Sequence, residues 1–193
     1  MEEKKFPAII ISGFAGSGKS TLAKKLAERY GLRYVCGGDV LKELAKEEGY
    51  NPTENWWETE EGMEFLKQRQ ANPEWDLKLD KKLMEIAEKG NCVITSWALP
   101  WIFTGKAVKI WLSASQEERA RRIAKRDGIS YEEALEVVKK RDEENIKLYK
   151  KLYGYTLGAD LEVFDIVVDT NGKSAEDVEK EVVEKLEEIL GIR

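Results

Sequence analysis

The sequence predicts an α/β fold, a parallel sheet covered by helices on both faces, from three observations. Apolar runs of strand length recur five times along the 193 residues. Segments of helical periodicity alternate with them, as the crossovers between parallel strands require. The first run also opens directly into a glycine-rich loop followed by a helical pattern, the arrangement that builds an anion site at the end of a buried strand.

Taken in order, Ala8-Ile9-Ile10-Ile11 reads as a buried strand ending at Ser12, and Leu22, Ala23, Leu26, Ala27 and Tyr30 then recur at helical spacing until Gly31. Arg33-Tyr34-Val35-Cys36 is the second strand, and after Gly37-Gly38-Asp39 a helix is expected from Val40 to about Glu48. Residues 51–75 hold two prolines and three tryptophans and read as short helices of a flap. A clearer helix over 76–89 carries Leu79, Leu83, Ile86 and Ala87 on one face and stops at Gly90. Residues 91–95 and 107–112 are the third and fourth strands. Ser115 with Glu118, and Ser130 with Glu133, stand at capping-box spacing ahead of helices that begin at Gln116 and Tyr131. Residues 164–168 form the fifth strand. Ser174 and Asp177 open a last helix whose stripe is Val178, Val182, Val183, Leu186, Ile189 and Leu190. Ligands of such sheets bind at the carboxyl ends of the strands, so the loops after strands one, two, three and five are expected to share a crevice.

Composition bounds the function. A chain of 193 residues is expected to form a single domain. The charged fraction of 36%, rich in Lys and Glu and without His, resembles the ion-pair-rich surfaces of hyperthermophile proteins. A net charge of −5 argues against broad nucleic-acid binding, and no apolar run approaches membrane length. Cys36 and Cys92 fit neither a disulfide framework nor a metal spacing, and each is expected to pack in a strand. The first residues, Met1-Glu2-Glu3-Lys4-Lys5, lack the layout of a signal peptide. A soluble cytoplasmic monomer is expected.

Residues 13–20, GFAGSGKS, fit the phosphate-loop pattern G-x-x-x-x-G-K-[ST] without a mismatch. Gly13, Gly16 and Gly18 let the backbone turn tightly, so that its N–H groups, with those of Ala15, Ser17 and Thr21, approach phosphate oxygens. Lys19, read as an exposed loop lysine, would bridge the β- and γ-phosphates of ATP, and the Ser20 hydroxyl would hold Mg²⁺. A glycine-rich turn with a chance lysine is the competing reading, disfavoured by the strand before it and the helix after. A second constellation lies at residues 119–126, with five basic groups in eight residues, followed by Arg141. Arg122 and Arg126 share a helix face. Alone they would read as a solvated face; beside a phosphate loop, Arg122, Arg126 and Arg141 are suited to the charge of a transferring phosphoryl group.

With these residues in place the chain resembles nucleoside-monophosphate kinases, and among them the archaeal cytidylate kinases. The resemblance runs through residues 13–21, Gly38-Asp39, Asn72-Pro73-Glu74 with Asp76 and Asp80, residues 88–91 and 122–126, residues 128–130 with 132–135, and Tyr149 with Tyr153-Gly154. It implies a three-layer P-loop NTPase fold of strand order 2-3-1-4-5, an acceptor-binding flap over about 40–75 and a lid over about 127–145. It also implies Arg122 on the adenine of ATP, Arg126 and Arg141 on transferred phosphate, and the loop 170–173, with Gly172 and Lys173, against the adenine edge. The substrate side would comprise Asp39, Lys42, Asp76, Asp80 and Trp97, and Asp39, a carboxylate at the end of strand two, is also read as catalytic, suited to orient hydrated Mg²⁺ or the acceptor group.

The acceptor half departs from the family pattern. Lys42 stands where an arginine follows Gly-Asp/Glu, Thr95-Ser96-Trp97 replaces Glu-Gly-Arg, and Leu148 replaces the arginine before Tyr149. Lysine is a point charge without arginine's planar fork, so CMP is expected to be a poor acceptor. Trp56, Trp57, Trp97 and Trp101 fall in or near this half, where any one of them is read first as flap core and second as a stacking surface. Two classes of function follow. One is an ATP-dependent kinase acting on a CMP-type or related acceptor. The other is a nucleotide-binding regulatory or small-metabolite kinase protein without the usual monophosphate site.

Overall fold

A computed structural model describes residues 5–53, 56 and 59–192; Trp57 and the first four residues lie outside them. The first strand, β1 (Ala8–Ser12), is buried along its whole length, as a central parallel strand must be. It pairs in parallel with β3 (Cys92–Thr95) on one side and β4 (Ala107–Ser113) on the other. The strands β2 (Arg33–Cys36) and β5 (Ile166–Asp169) complete a five-stranded parallel sheet of order β2-β3-β1-β4-β5. This is the order that the resemblance implies.

Alternation along β1 divides the core in two. Ile9 and Ile11 face α1 (Lys19–Tyr30) and α8 (Ala175–Leu190), packing with Leu22, Leu26, Val182 and Leu186. Ala8 and Ile10 face the opposite layer, built by α2 (Gly37–Glu47), α3 (Glu60–Ala71) and α4 (Glu74–Lys89) through Leu41, Phe65 and Leu83. Beyond β3 a short helix, α5 (Leu99–Ile102), leads to β4. After β4 come α6 (Gln116–Asp127) and α7 (Tyr131–Tyr153), which share a small core of Ala120, Ile123, Ala134 and Val138.

The capping serines act as the spacing predicts. Ser130 and Glu133 form a reciprocal capping box, whereas at Ser115 only the serine half is made, because the Ser115 N–H donates instead to Asn171. Other boundaries move. The second helix begins at Gly37, not Val40, so Asp39 sits in its first turn, where a carboxylate suits the helix dipole. Residues 60–71 form one helix capped by Thr59 in place of the expected run of short ones. The fifth strand starts at Ile166, leaving Phe164 to pack against Trp101 and Trp111. The stripe of α8 ends early: Ile189 is exposed.

Candidate active site

The loop between β1 and α1 is held by the strands beneath it. Register aligns Ile11 with Thr95 and Ser12 with Trp111, and the Ser96 N–H donates to the Ile11 carbonyl, so the ends of β3 and β4 flank the loop. Gly13 is required for close approach, since a Cβ there would come within 2.6 Å of the Leu112 carbonyl and of Ser17 Oγ. Gly16 has φ 79° and would press a Cβ to 3.0 Å from the Arg119 carbonyl. Gly18 is the N-cap of α1, so the first N–H groups of the helix face the loop's concavity. Among the described residues the Ser17 hydroxyl is buried without a hydrogen-bond partner. A tight loop, the N-terminus of α1 and the unpartnered buried hydroxyl of Ser17 fit a polyphosphate, and Ser20, exposed in the first turn of α1, fits a divalent cation beside it.

Lys19 differs from its sequence reading. It is half-buried, and its Nζ donates to the carbonyls of Gly13 at 2.6 Å and Phe14 at 3.0 Å while lying 4.6 Å from the centre of the Trp97 ring. Burial first, then the charges of Arg141 and Arg119, lower its pKa to about 7. Trp97 therefore packs on the phosphate loop, its ring also meeting Phe14 edge-on at 6.3 Å. Trp56 is buried core beside Phe65, and Trp101 stacks on Tyr155 at 4.2 Å, so both are packing residues.

The arginines of α6 have three different placements. Arg122 bridges two loops: its guanidinium donates to the Gly16 carbonyl and to both oxygens of Thr170, at 2.7–3.2 Å. Arg122 also lines a cleft with Gly18, Leu22, Thr170, Lys173 and Val178. Lys173 turns to Glu181 at 2.6 Å, and Gly172 lies in the adjoining turn. Arg126, on the surface, is bonded through Nε and Nη2 to Asp127. Arg141 is exposed on α7; partial desolvation first, then the charges of Arg126 and Arg69, lower its proton affinity. Arg119, which sequence reasoning passed over, is 2% exposed and forms a two-pronged pair with Asp142 of α7 at 2.9 and 2.6 Å. It also donates to the Ala15 carbonyl and covers the Phe14 ring, so one guanidinium ties α6, α7 and the phosphate loop together.

On the other side of the crevice Asp39 is exposed, and Lys42 donates to the Thr53 carbonyl at 3.1 Å. Asp76 and Asp80 are buried on α4, 1% and 4% exposed. Arg69 of α3 clasps Asp76, and the Tyr153 hydroxyl donates to Asp80. Burial pushes Asp80 up to about 7. Among the described residues no cluster of three His, Cys, Asp or Glu side chains could cage a metal, and no helix is long and apolar enough to cross a membrane.

Comparison with known proteins agrees with this geometry. A family model described as the cytidylate kinase-like family matches residues 8–172. A cytidylate kinase of Ignicoccus hospitalis is 45% identical over 163 residues, 84% of this chain and 88% of its own length. One from Pyrococcus horikoshii is 39% identical over 170 residues, 88% of this chain and 83% of its own length. Among solved structures, a gluconokinase from Sinorhizobium meliloti superposes with TM-score 0.59 at 18% identity, covering 96% of this chain and 95% of that one. A shikimate kinase from Acinetobacter baumannii gives TM-score 0.57 at 17% identity, covering 96% of this chain and 94% of its own. At such identities the likeness is one of fold.

Proposed function

We infer the function from one premise: this chain belongs to the cytidylate kinase-like family. On that premise it is an ATP-dependent phosphotransferase that moves the γ-phosphoryl group onto a nucleoside monophosphate of the CMP or dCMP type. The observation that carries the reading is the loop of residues 13–20, whose glycine geometry and place at the N-terminus of α1 leave a cradle for a triphosphate beside the cleft that Arg122 lines. The regulatory or small-metabolite reading is less favoured, because the relatives that match most of the chain are named cytidylate kinase.

In this mechanism the backbone N–H groups of residues 13–20, with Thr21, hold the donor's phosphates. The adenine enters the cleft that Arg122 lines, against Gly172 and Lys173. Lys19 leaves the Gly13 and Phe14 carbonyls for the β- and γ-phosphates, gaining the negative partner that its desolvated site lacks. Mg²⁺, held by Ser20, would neutralise charge between those phosphates. An acceptor phosphate oxygen attacks the γ-phosphorus, the bond to the β,γ-bridging oxygen breaks, and its electron pair leaves with ADP. Charge spreading over the equatorial oxygens is met by Arg126 and Arg141, delivered by closure of a lid over about residues 127–145; Arg126 exchanges Asp127 for phosphate. Asp39, Lys42, Asp76, Asp80 and Trp97 border the acceptor, covered by a flap of about residues 40–75. The adenine and acceptor sites lie in one cytoplasmic, monomeric, single-domain kinase.

A coupled assay of ADP release against the nucleoside monophosphates and a set of small hydroxylated metabolites tests the reading. Among the acceptors CMP or dCMP should be preferred, with a high KM expected where arginines are lacking at positions 42, 97 and 148; turnover of a metabolite in place of every monophosphate would overturn it.

A further inference from the structure

The acceptor side of the crevice holds an arginine that no motif marks. Arg69 stands near the end of α3, and its Nε and Nη2 donate to the carboxylate of Asp76 on α4 at 2.7–3.2 Å. Nη2 also lies 3.4 Å from the Tyr149 hydroxyl of α7. Three helices thus fix one guanidinium whose side chain is 17% exposed against a carboxylate that is 1% exposed. Burial opposes its charge, but Tyr149 and Asp76 more than compensate, and its proton is held more firmly than an ordinary arginine's. Among the described residues Nη1 makes no hydrogen bond, so the end of the fork away from Asp76 is open to a ligand.

The surroundings say what kind of ligand. The charge of Arg69 reaches Arg141, and that of Arg141 reaches Lys19, each depressing the next group's proton affinity. Like charges brought into one crevice cost energy unless an anion lies between them. Meanwhile the positions where the family resemblance places acceptor arginines carry none: Lys42 is drawn to Thr53, Trp97 lies under Lys19, and Leu148 packs with the aromatic residues around Tyr155. Arg69 offers a guanidinium on this side, oriented by a buried carboxylate and with Nη1 left to donate to a phosphate oxygen.

We infer that Arg69 receives the phosphate of the acceptor nucleotide, in place of the arginines that the chain lacks at positions 42, 97 and 148. The inference rests on the reading of the protein as a nucleoside-monophosphate kinase, and it makes the acceptor a phosphomonoester held between Arg69 on one wall and Arg141 on the other. Asp76 and Tyr149 are then positioning residues that act through Arg69.

The test measures the binding of CMP and of cytidine to the full chain by calorimetry, beside steady-state kinetics, for the unmodified protein, Arg69→Lys and Tyr149→Phe. Arg69→Lys keeps the charge and removes the fork. It should raise the Kd and KM for CMP by on the order of 10–100-fold, with the KM for ATP and the affinity for cytidine unchanged. Tyr149→Phe should give a smaller loss of the same pattern, and it decides the matter should Arg69→Lys not fold. Equal losses for CMP and cytidine, or no loss for either, would overturn the role of Arg69. Absence of transfer to any monophosphate by the unmodified protein would instead overturn the kinase reading, and the CMP-against-cytidine difference would still decide whether Arg69 holds the phosphate.

Discussion

Removing the Asp142 carboxylate tests how the phosphate loop is held. Asp142 is 5% exposed and accepts from both Nη atoms of Arg119, which is 2% exposed, and from Gln116 at 3.1 Å. Asp142→Leu leaves a buried guanidinium with only the carbonyls of Ala114 and Ala15 as partners. Breaking one side of such a pair costs about 3–5 kcal/mol. For a chain of this length that corresponds to a fall in Tm of about 6–20 °C. Replacing both partners, Arg119→Met with Asp142→Leu, removes the stranded charge and should recover more than half of the loss. Thermal unfolding followed by calorimetry reads both values, and ATP titration reads the loop, which should bind more weakly in the single variant because Arg119 also steadies Ala15. A fall of less than about 3 °C in the single variant, or a double variant no better than the single, would refute the claim that this pair anchors the loop.

Two further outcomes follow from the electrostatics of the site. Lys19→Met should lower turnover by about 10²-fold or more, while its Tm at pH 7 holds or rises, since Lys19 carries its charge in a desolvating site; unchanged turnover would remove the loop from the mechanism. Asp80 has its carboxyl raised from 3.8 to about 7, so the folded state binds the extra proton between those values and stability declines as pH rises through that window. Asp80→Asn should abolish that decline and add up to about 4 kcal/mol above pH 7, measured by urea unfolding at pH 5 and pH 8; parallel curves for the two proteins would contradict it.

Much of the fold was legible because local chemistry and global packing agree. β1 is apolar at every buried position up to Ile11, Gly31 and Gly90 stop helices where they should, and Ser130 with Glu133 makes the cap that its spacing announces. The phosphate loop was legible from its contiguous motif and from the strand and helix that flank it, although the contacts that require Gly13 and Gly16 come from Leu112 and Arg119, far along the chain. The ion pairs were not, because Arg119 with Asp142 and Arg69 with Asp76 depend on how separate helices dock. A signal existed for the first pair. Asp142 continues the stripe Ala134, Val138 at intervals of four residues, and Arg119 borders Ala120 and Ile123, so each charge falls on an apolar face where only a partner could keep it. Arg69 gives no such sign: the flanks of α3 are polar, and what singles it out is the buried carboxylate of another helix. Trp97 shows the opposite limit. Its ring lies beside Lys19 and meets Phe14, contacts with the phosphate loop that a reading of the residues after β3 alone does not reveal.

The central claim is that the crevice transfers a phosphoryl group to a CMP-type acceptor and does not merely bind or hydrolyse ATP. Incubation of the full chain with γ-labelled ATP, Mg²⁺ and CMP, with separation of the products, tests it most directly. The label should appear in CDP, and Lys19→Met should abolish that transfer; label found only in inorganic phosphate, or retained in ATP with CMP and every other monophosphate, would contradict it.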